Sequence, residues 1–353
     1  MLNDSMNKNH GYYLGQLALA VVCYWFAAQL GLFFSPSEKF IPIIWPASGV
    51  AVAMLLIAGI RLWPGILIGA LILAYSTTDN ALISISLALG NTLETVAIFY
   101  VLRNFVHLDL YLNRLRDLAA IIILGAGAGA FFNAAIATLT LIAANLIPSN
   151  IWLTTLAHLW MADSLGYLLF TPLILTLYAN RNLAPIICNK LEPLALLLLA
   201  ALASYLTFFI QNNNIIFNVI GLYLMFPCAM WAAYRFHQRG SAIITLIIGM
   251  TAIWSVSHQQ GFFASKNIVL VEVYWFFVAT LSISSLILSI IHTIKLDAED
   301  LLIEMIESVN AIIWRATPEF NFTFVSKEAL EILVNSRVSS RILNVAAATK
   351  PCS

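Results

Sequence analysis

The chain has 353 residues, of which 61% are apolar and only 10% are charged. Soluble domains contain roughly 45–50% apolar and about 25% charged residues, so this composition excludes an ordinary water-soluble domain. The formal net charge of +0 gives no support for nucleic-acid binding. None of the four cysteines has the spacing of a metal site or a CxxC pair. We therefore predict an all-α integral membrane protein, surrounded by the lipid bilayer, with no cofactor and no metal.

Apolar runs near 20 residues long, with few charges, predict membrane-spanning helices along most of the chain. After an N-terminal tail over residues 1–11, we predict about ten such helices. The range is eight to ten, because the second and third segments are separated only by Gly59–Arg61 and form either a tight hairpin or a partly re-entrant pair. The ten segments are residues 12–34, 42–60, 62–78, 81–103, 117–146, 151–179, 193–210, 215–234, 241–256 and 270–294.

Basic residues alternate in number from loop to loop along these segments. If the N-terminus is cytoplasmic, the outer face receives only Lys39 and Lys266. The inner face receives Lys8, Arg61, Arg103, Arg114, Arg116, Arg181, Lys190, Arg235, Arg239 and Lys295. Because cytoplasmic loops carry the excess of lysine and arginine, this asymmetry predicts that both termini are cytoplasmic.

Two acidic residues fall in the middle of predicted spans, Glu94 in the fourth and Asp163 in the sixth. A charge at this depth costs roughly 2.5–3.5 kcal/mol. At 1.5 Å per residue, both lie about 18 Å below the outer surface. Asn133 reaches a similar depth on the fifth span, and Asn91 shares a helix face with Glu94. We predict that these four residues form one polar layer.

No lysine or arginine falls at the depth of this layer. The carboxyl groups must therefore be protonated, share a proton, or contact amides, water or a ligand. One interpretation is a ligand or proton site. The other is a set of hydrogen bonds that only holds the helices together.

Four short motifs stand in order along the chain. They are WPASG (Trp45–Gly49), RLWPG (Arg61–Gly65) followed by Gly69, GNTLE (Gly90–Glu94) and WMADSLGYLLFTPL (Trp160–Leu173). With these motifs, residues 12–295 resemble the first type of bacterial membrane-associated sensor domain, the MASE-one family. The resemblance implies a multi-pass sensory input domain of the bacterial inner membrane. Such domains precede histidine-kinase or cyclic-di-GMP output enzymes, often with PAS modules between, and the sensed partner would be a small ligand or another membrane protein.

Trp45 and Ser48 begin the second predicted span, which places them near the outer surface. Tryptophan at the membrane interface is the ordinary expectation there. A binding role for these two residues is the alternative, and it rests on the resemblance.

Residues 296–313 are predicted to form an amphipathic signalling helix. Leu302, Met305, Val309 and Ile312 follow coiled-coil spacing, which predicts the seam of a homodimer or, equally well, a face that packs on the next element. Residues 314–334 look like the start of a PAS module, with two short strands around a turn at Pro318–Asn321.

The predicted PAS-like segment is too short for a whole domain, and residues 335–353 are irregular, as expected of a truncated end. We therefore predict no complete output domain and no enzymatic activity. The rival function is a small-solute or ion transporter or channel that uses the carboxyl groups at mid-depth. The helix that leads from the last span into the PAS-like start favours the sensor.

Overall fold

The apolar runs fold into helices, because a helix satisfies its backbone N–H and C=O groups internally where no water is available. The computed structural model describes residues 2–35, 41–179, 191–210, 215–258, 269–308, 314–316 and 322–325. The helices are α1 (Leu2–Phe33), α2 (Pro46–Ala58), α3 (Trp63–Thr78), α4 (Ala81–Tyr100), α5 (Leu115–Ala120), α6 (Ala130–Ala143), α7 (Trp152–Tyr178), α8 (Leu191–Phe208), α9 (Ile215–His258) and α10 (Val269–Ser308). Two π-helical stretches, Val101–Val106 and Ile121–Gly129, follow α4 and join α5 to α6.

Eight helices in the described part of the chain are long and apolar enough to cross a membrane. They are Gly11–Phe33, Ile60–Thr78, Ala81–Val106, Leu115–Ala143, Ser149–Tyr178, Leu191–Phe208, Val219–His258 and Val271–Met305. The prediction of a multi-pass helical membrane protein is confirmed.

The predicted second span, residues 42–60, is wrong as a full-length helix. Only Pro46–Ala58 is helical, and these 13 residues extend about 20 Å, against a hydrocarbon core of about 30 Å. Trp45 has the extended angles φ −124° and ψ 82°, because the proline that follows disfavours a helical conformation. Pro46 then occupies the first helical turn, where its missing N–H costs nothing.

Helix α9 covers two predicted segments, residues 215–234 and 241–256, and it is broken between them. Phe236 and His237 have non-helical angles, and His237 has a φ of +54°. A Cβ atom built on Gly240 would lie 2.8 Å from the carbonyl oxygen of Ala232, eight residues earlier. In a straight helix, residues eight apart are separated by about 12 Å, so the chain bends sharply here.

The chain divides into two compact units, residues 1–183 with 193–291 and residues 184–192 with 292–353. In the first unit, α2 lies along α7, α3 packs between α1 and α4, and α6 contacts α4 and α7. Gly65 and Gly69 let α3 approach α1 closely, because Cβ atoms there would lie within 3.0 Å of atoms of α1.

In the second unit, the end of α10 is followed by two antiparallel strands, β1 (Trp314–Ala316) and β2 (Phe322–Val325), with Arg315 opposite Phe324. They lie before and after the predicted turn at Pro318–Asn321, which is itself outside the described residues. Of the predicted dimer seam, Leu302 and Met305 are exposed on α10, whereas Val309 and Ile312 lie outside the described residues, as does the tail 335–353.

Candidate functional site

Five side chains from the start of α2 and from α4, α6 and α7 form a hydrogen-bonded group, which we call the polar network: Trp45, Ser48, Asn91, Asn133 and Asp163. Ser48 Oγ donates to Asp163 Oδ1 over 2.7 Å, and Asn133 Nδ2 donates to Asp163 Oδ2 over 2.9 Å. Asn133 Nδ2 and Trp45 Nε1 both donate to Asn91 Oδ1, each at 3.3 Å. One connected set of bonds therefore ties three helices to the first turn of α2.

Asn91 and Asn133 have their amide orientations fixed by their neighbours. Asn91 Nδ2 donates to the carbonyl oxygen of Leu87 over 2.9 Å, so its Oδ1 is the atom that faces the network. Asn133 then faces two acceptors, Asn91 Oδ1 and the Asp163 carboxyl group, to which only its Nδ2 can donate. The amide of Asn133 is thus the donor that links Asn91 to Asp163.

The position of Ser48 and Trp45 depends on the close contact between α2 and α7. The backbone N–H of Trp45 donates to the carbonyl oxygen of Ala162 over 2.9 Å. Further along, a Cβ atom on Gly49 would overlap the carbonyl of Gly166. Only glycine permits this approach, and the result is that α2 begins beside Asp163. The first turn of a helix carries a partial positive charge, which stabilises negative charge on this carboxyl group.

Trp45 and Ser48 were expected near the outer surface, with a binding role as the alternative, and the structure brings both side chains into the polar network. Both bond directly to the polar network, and Ser48 is only 2% exposed. The reason is that the preceding residues, from Pro42 to Trp45, are not helical. The residues just before Pro46 thus reach the bundle without helical structure, and α2 starts beside Asp163.

Glu94 lies one helical turn after Asn91 and is 1% exposed. Its carboxyl group interacts electrostatically with Asp163 and lies beside Tyr167, yet neither carboxyl oxygen has a hydrogen-bond partner in the described part of the chain. The predicted polar layer is thus brought together, with Glu94 adjacent to the network and not bonded to it.

A cavity of about 100 Å³ lies against the polar network. Trp45, Asn91, Asn133 and Asp163 form its polar side, together with Tyr24 from α1. Small apolar side chains line much of the rest, among them Ala70, Ala74, Ala134, Ala137 and Ala162. The hydroxyl group of Tyr24 is buried without a hydrogen-bond partner among the described residues. The site therefore combines polar groups on one side with an apolar wall on the other.

Sequence reasoning did not identify Tyr24, nor the contact of Trp275 with α7. Trp275 Nε1 donates to Ser164 Oγ over 2.7 Å, and its ring lies 5.7 Å from the ring of Trp160. Ser164 directly follows Asp163 in the chain. Both Tyr24 and Trp275 stand in apolar runs, where an aromatic residue gives no sequence signal that separates packing from a polar contact.

Metal binding finds no support in the described part of the chain, where no three histidine, cysteine, aspartate or glutamate side chains come together. The polar network offers one carboxyl group, two side-chain amides, one hydroxyl group and one indole N–H. These groups are suited to hydrogen bonding with an organic molecule.

The family profile of MASE1 matches residues 16–294. The chain belongs to the MASE1 family. MASE1 domains are membrane-associated sensor domains, so the resemblance found in the motifs is confirmed for this region, which holds the whole polar network and the cavity. No curated protein and no solved structure matches the chain.

Proposed function

We propose that this MASE1 chain is a sensory input module of a bacterial signal-transduction protein in the inner membrane. A ligand or a membrane partner would be sensed at the polar network and reported to the cytoplasm through α10. The observation that carries the proposal is the network itself, since one connected set of buried hydrogen bonds joins α2, α4, α6 and α7 beside a cavity. A change in any one partner must rearrange the others.

The path to the output runs through α7 and α10. Ser164, next to Asp163, accepts the indole N–H of Trp275, and Ser282 Oγ of α10 donates to the carbonyl oxygen of Leu168 over 3.0 Å. Helix α10 then continues without a break from Val269 to Ser308. A shift of α7 at Asp163 would therefore move a helix that extends beyond the last predicted membrane segment.

The proposed topology, with cytoplasmic termini, is supported by bonds that gather basic residues at one end of the bundle. Tyr13 Oη donates to the carbonyl oxygen of Arg61 over 3.0 Å, which places Arg61 beside the start of α1. Arg239 Nε donates to the carbonyl oxygen of Thr176, near the end of α7, over 3.1 Å. The cavity is lined by residues such as Leu32, Thr77 and Leu87, which belong to the opposite end. We assign that end to the periplasm.

We propose ten passes in total. The contact between Tyr13 and Arg61 places Arg61, which follows α2, beside the start of α1, so we propose that the chain returns across the membrane between α1 and α3, with α2 as the helical part of this pass. The sharp bend at Phe236–His237 divides α9 into two passes, because 44 residues would extend about 66 Å, twice the hydrocarbon thickness.

The cytoplasmic part is proposed to act as the connection to an output domain. Residues 314–334 would begin a PAS module, and the output would be a histidine kinase or a cyclic-di-GMP enzyme, as the family resemblance implies. The exposed Leu302 and Met305 of α10 would contribute to a homodimer seam. The chain itself is proposed to carry no enzymatic activity.

A transporter is the second candidate, and one observation favours it. Helix α2 begins within the bundle with its N-terminus beside a carboxyl group, and discontinuous helices of this kind hold substrates and ions in transporters. A flux assay with the purified chain in liposomes separates the two functions. Saturable uptake of a solute would favour the transporter.

The test of the sensory role uses Asp163→Asn and Glu94→Gln in the membrane region joined to an intact output domain. An amide keeps the shape of the acid and removes its charge; in Asp163→Asn the oxygen can accept from Asn133, and the NH2 group can donate to the hydroxyl of Ser48, which also accepts. We expect near-normal thermal stability in detergent with lost or locked signalling. Asp79→Asn is the matched control, because Asp79 is an exposed acid in the turn after α3. If both amide variants signal normally, the network only holds the helices together.

A further inference from the structure

The cavity beside Asp163 has an acidic group in its lining and, in the described part of the chain, no basic one. The ligand class inferred from this lining rests on the proposed function. Among the described residues that line it, Asp163 is the one acid, and none is lysine, arginine or histidine. Its partners are the hydroxyl of Ser48 and the amide of Asn133, which are neutral donors. The carboxyl group therefore has no counter-charge from the protein within this lining.

The polar side of the cavity can still accept hydrogen bonds from a ligand. A carboxylate offers about four lone-pair positions, and Asp163 uses one on each oxygen. Asn91 Oδ1 already accepts two bonds. Among the described residues, the Tyr24 hydroxyl has no hydrogen-bond partner within bonding geometry, and it can accept as well as donate. A ligand that fits must donate hydrogen bonds, and a positive charge would strengthen them.

The opposite wall sets the size and polarity of the rest of the ligand. It is aliphatic, built from alanines such as Ala74 and Ala137 and from leucines such as Leu73, Leu87 and Leu141. A cavity of about 100 Å³ accepts a molecule somewhat smaller than benzene, since benzene fills a cavity of about 150 Å³. A short aliphatic body therefore fits the space beside the polar network.

We propose that this cavity binds a small primary ammonium compound with a short aliphatic body, with the ammonium group on Asp163 and the aliphatic part against the wall of alanines and leucines. An ammonium group supplies three donors and the missing counter-charge. A carboxylate or phosphate of the same size would be repelled by Asp163 and would find no basic side chain in the lining.

The experiment measures binding of n-butylammonium, n-butanol and butyrate to the purified full chain in detergent, by calorimetry and by the shift in thermal unfolding. We expect saturable binding of butylammonium, at least about tenfold tighter than butanol because of the charge-assisted bonds, and no binding of butyrate. Equal affinity for butanol, or tighter binding of butyrate, overturns the proposal.

Two pairs of variants test the location. Asp163→Asn should weaken butylammonium binding at least about tenfold, whereas Asp79→Asn, which removes an exposed acid, should leave it unchanged. Ala137→Leu fills the cavity without touching a polar group and should abolish binding. Ala135→Leu is its matched control on the same helix, since Ala135 does not line the cavity. Full binding by Ala137→Leu overturns the proposal even if Asp163→Asn fails to fold.

The outcomes also separate this inference from the proposed function. If the Asp163→Asn chimera loses signalling but no ammonium probe binds the wild-type chain, the ligand class is wrong and the sensory role stands. If butylammonium binds as described while both amide chimeras signal normally, the ligand class stands and the sensory role fails.

Discussion

At the scale of single residues, the absence of a side chain matters as much as any polar contact. Gly49 and Gly166 bring the backbones of α2 and α7 together, and Cβ atoms at these positions would overlap the carbonyls of Gly166 and Trp45, respectively. The hydrogen bond from Ser48 to Asp163 is possible only at this separation. The geometry of the polar network thus depends on a backbone contact that forms no part of it.

Replacing Gly49 with alanine should therefore disrupt both packing and the network. We expect the free energy of unfolding to fall by about 1–3 kcal/mol, which is what overpacking costs. Butylammonium binding should also weaken, because Ser48 is displaced. Gly15→Ala is the control, since a Cβ atom there meets nothing within 4 Å and alanine is the better helix former. Thermal unfolding in detergent measures both, and equal stability of the two variants would contradict the steric argument.

The sequence was informative about the residues of the network and less so about their depth. Counting residues from the ends of predicted spans brought Asn91, Asn133 and Asp163 to one level, and the structure joins these three by hydrogen bonds. The bond from Ser48 to Asp163 was not predicted, because hydrophobicity alone does not reveal that the residues from Pro42 to Trp45 are not helical. Tyr24 was missed because nothing in an apolar run indicates whether a single tyrosine hydroxyl faces a polar site or the lipid.

At the scale of elements, α7 is the helix on which the site and the output path meet. Trp160 Nε1 donates to the carbonyl oxygens of Ala126 and Gly127, over 3.0 and 3.1 Å, and both belong to the π-helical stretch before α6. π-Helical turns occur often at functional sites. Trp160 also contacts Trp275, so α7 binds the α6 segment on one side and α10 on the other.

Trp275→Phe tests whether this contact transmits the signal. Phenylalanine keeps an aromatic ring but removes the N–H that donates to Ser164. We expect a loss of stability of only about 1 kcal/mol, together with signalling that no longer responds to the ligand in the chimera. Trp231→Phe is the matched control, because Trp231 is 51% exposed on α9.

Ser164→Ala should reproduce the effect of Trp275→Phe, since it removes the acceptor of the same bond. Ligand affinity should change little in either variant, which separates transmission from binding. A chimera with Trp275→Phe that responds as the wild type does would exclude this contact from the path.

At the scale of the whole molecule, one end of the bundle is basic and the other holds the cavity. Gln238 Nε2 donates to Asn113 Oδ1 over 3.4 Å, which joins the bend in α9 to the loop that precedes Arg114 and Arg116. The count of basic residues along the sequence predicts that this end is cytoplasmic. The sequence did not predict that α2 starts as late as Pro46, which stands in the first turn of the helix.

The topology follows from this asymmetry and can be tested directly. Reporter fusions after Arg116 and Arg239 should be cytoplasmic, and fusions after Asp79 and Pro148 should be periplasmic, because the basic end stays inside. A fusion after Ser308 distinguishes two passes of α9 from one. With two passes it is cytoplasmic, as ten crossings require, whereas a single straight pass would place it in the periplasm. The proposed sensory role requires α10 to end in the cytoplasm, so a periplasmic Ser308 would refute the ten-pass topology and the sensory role together.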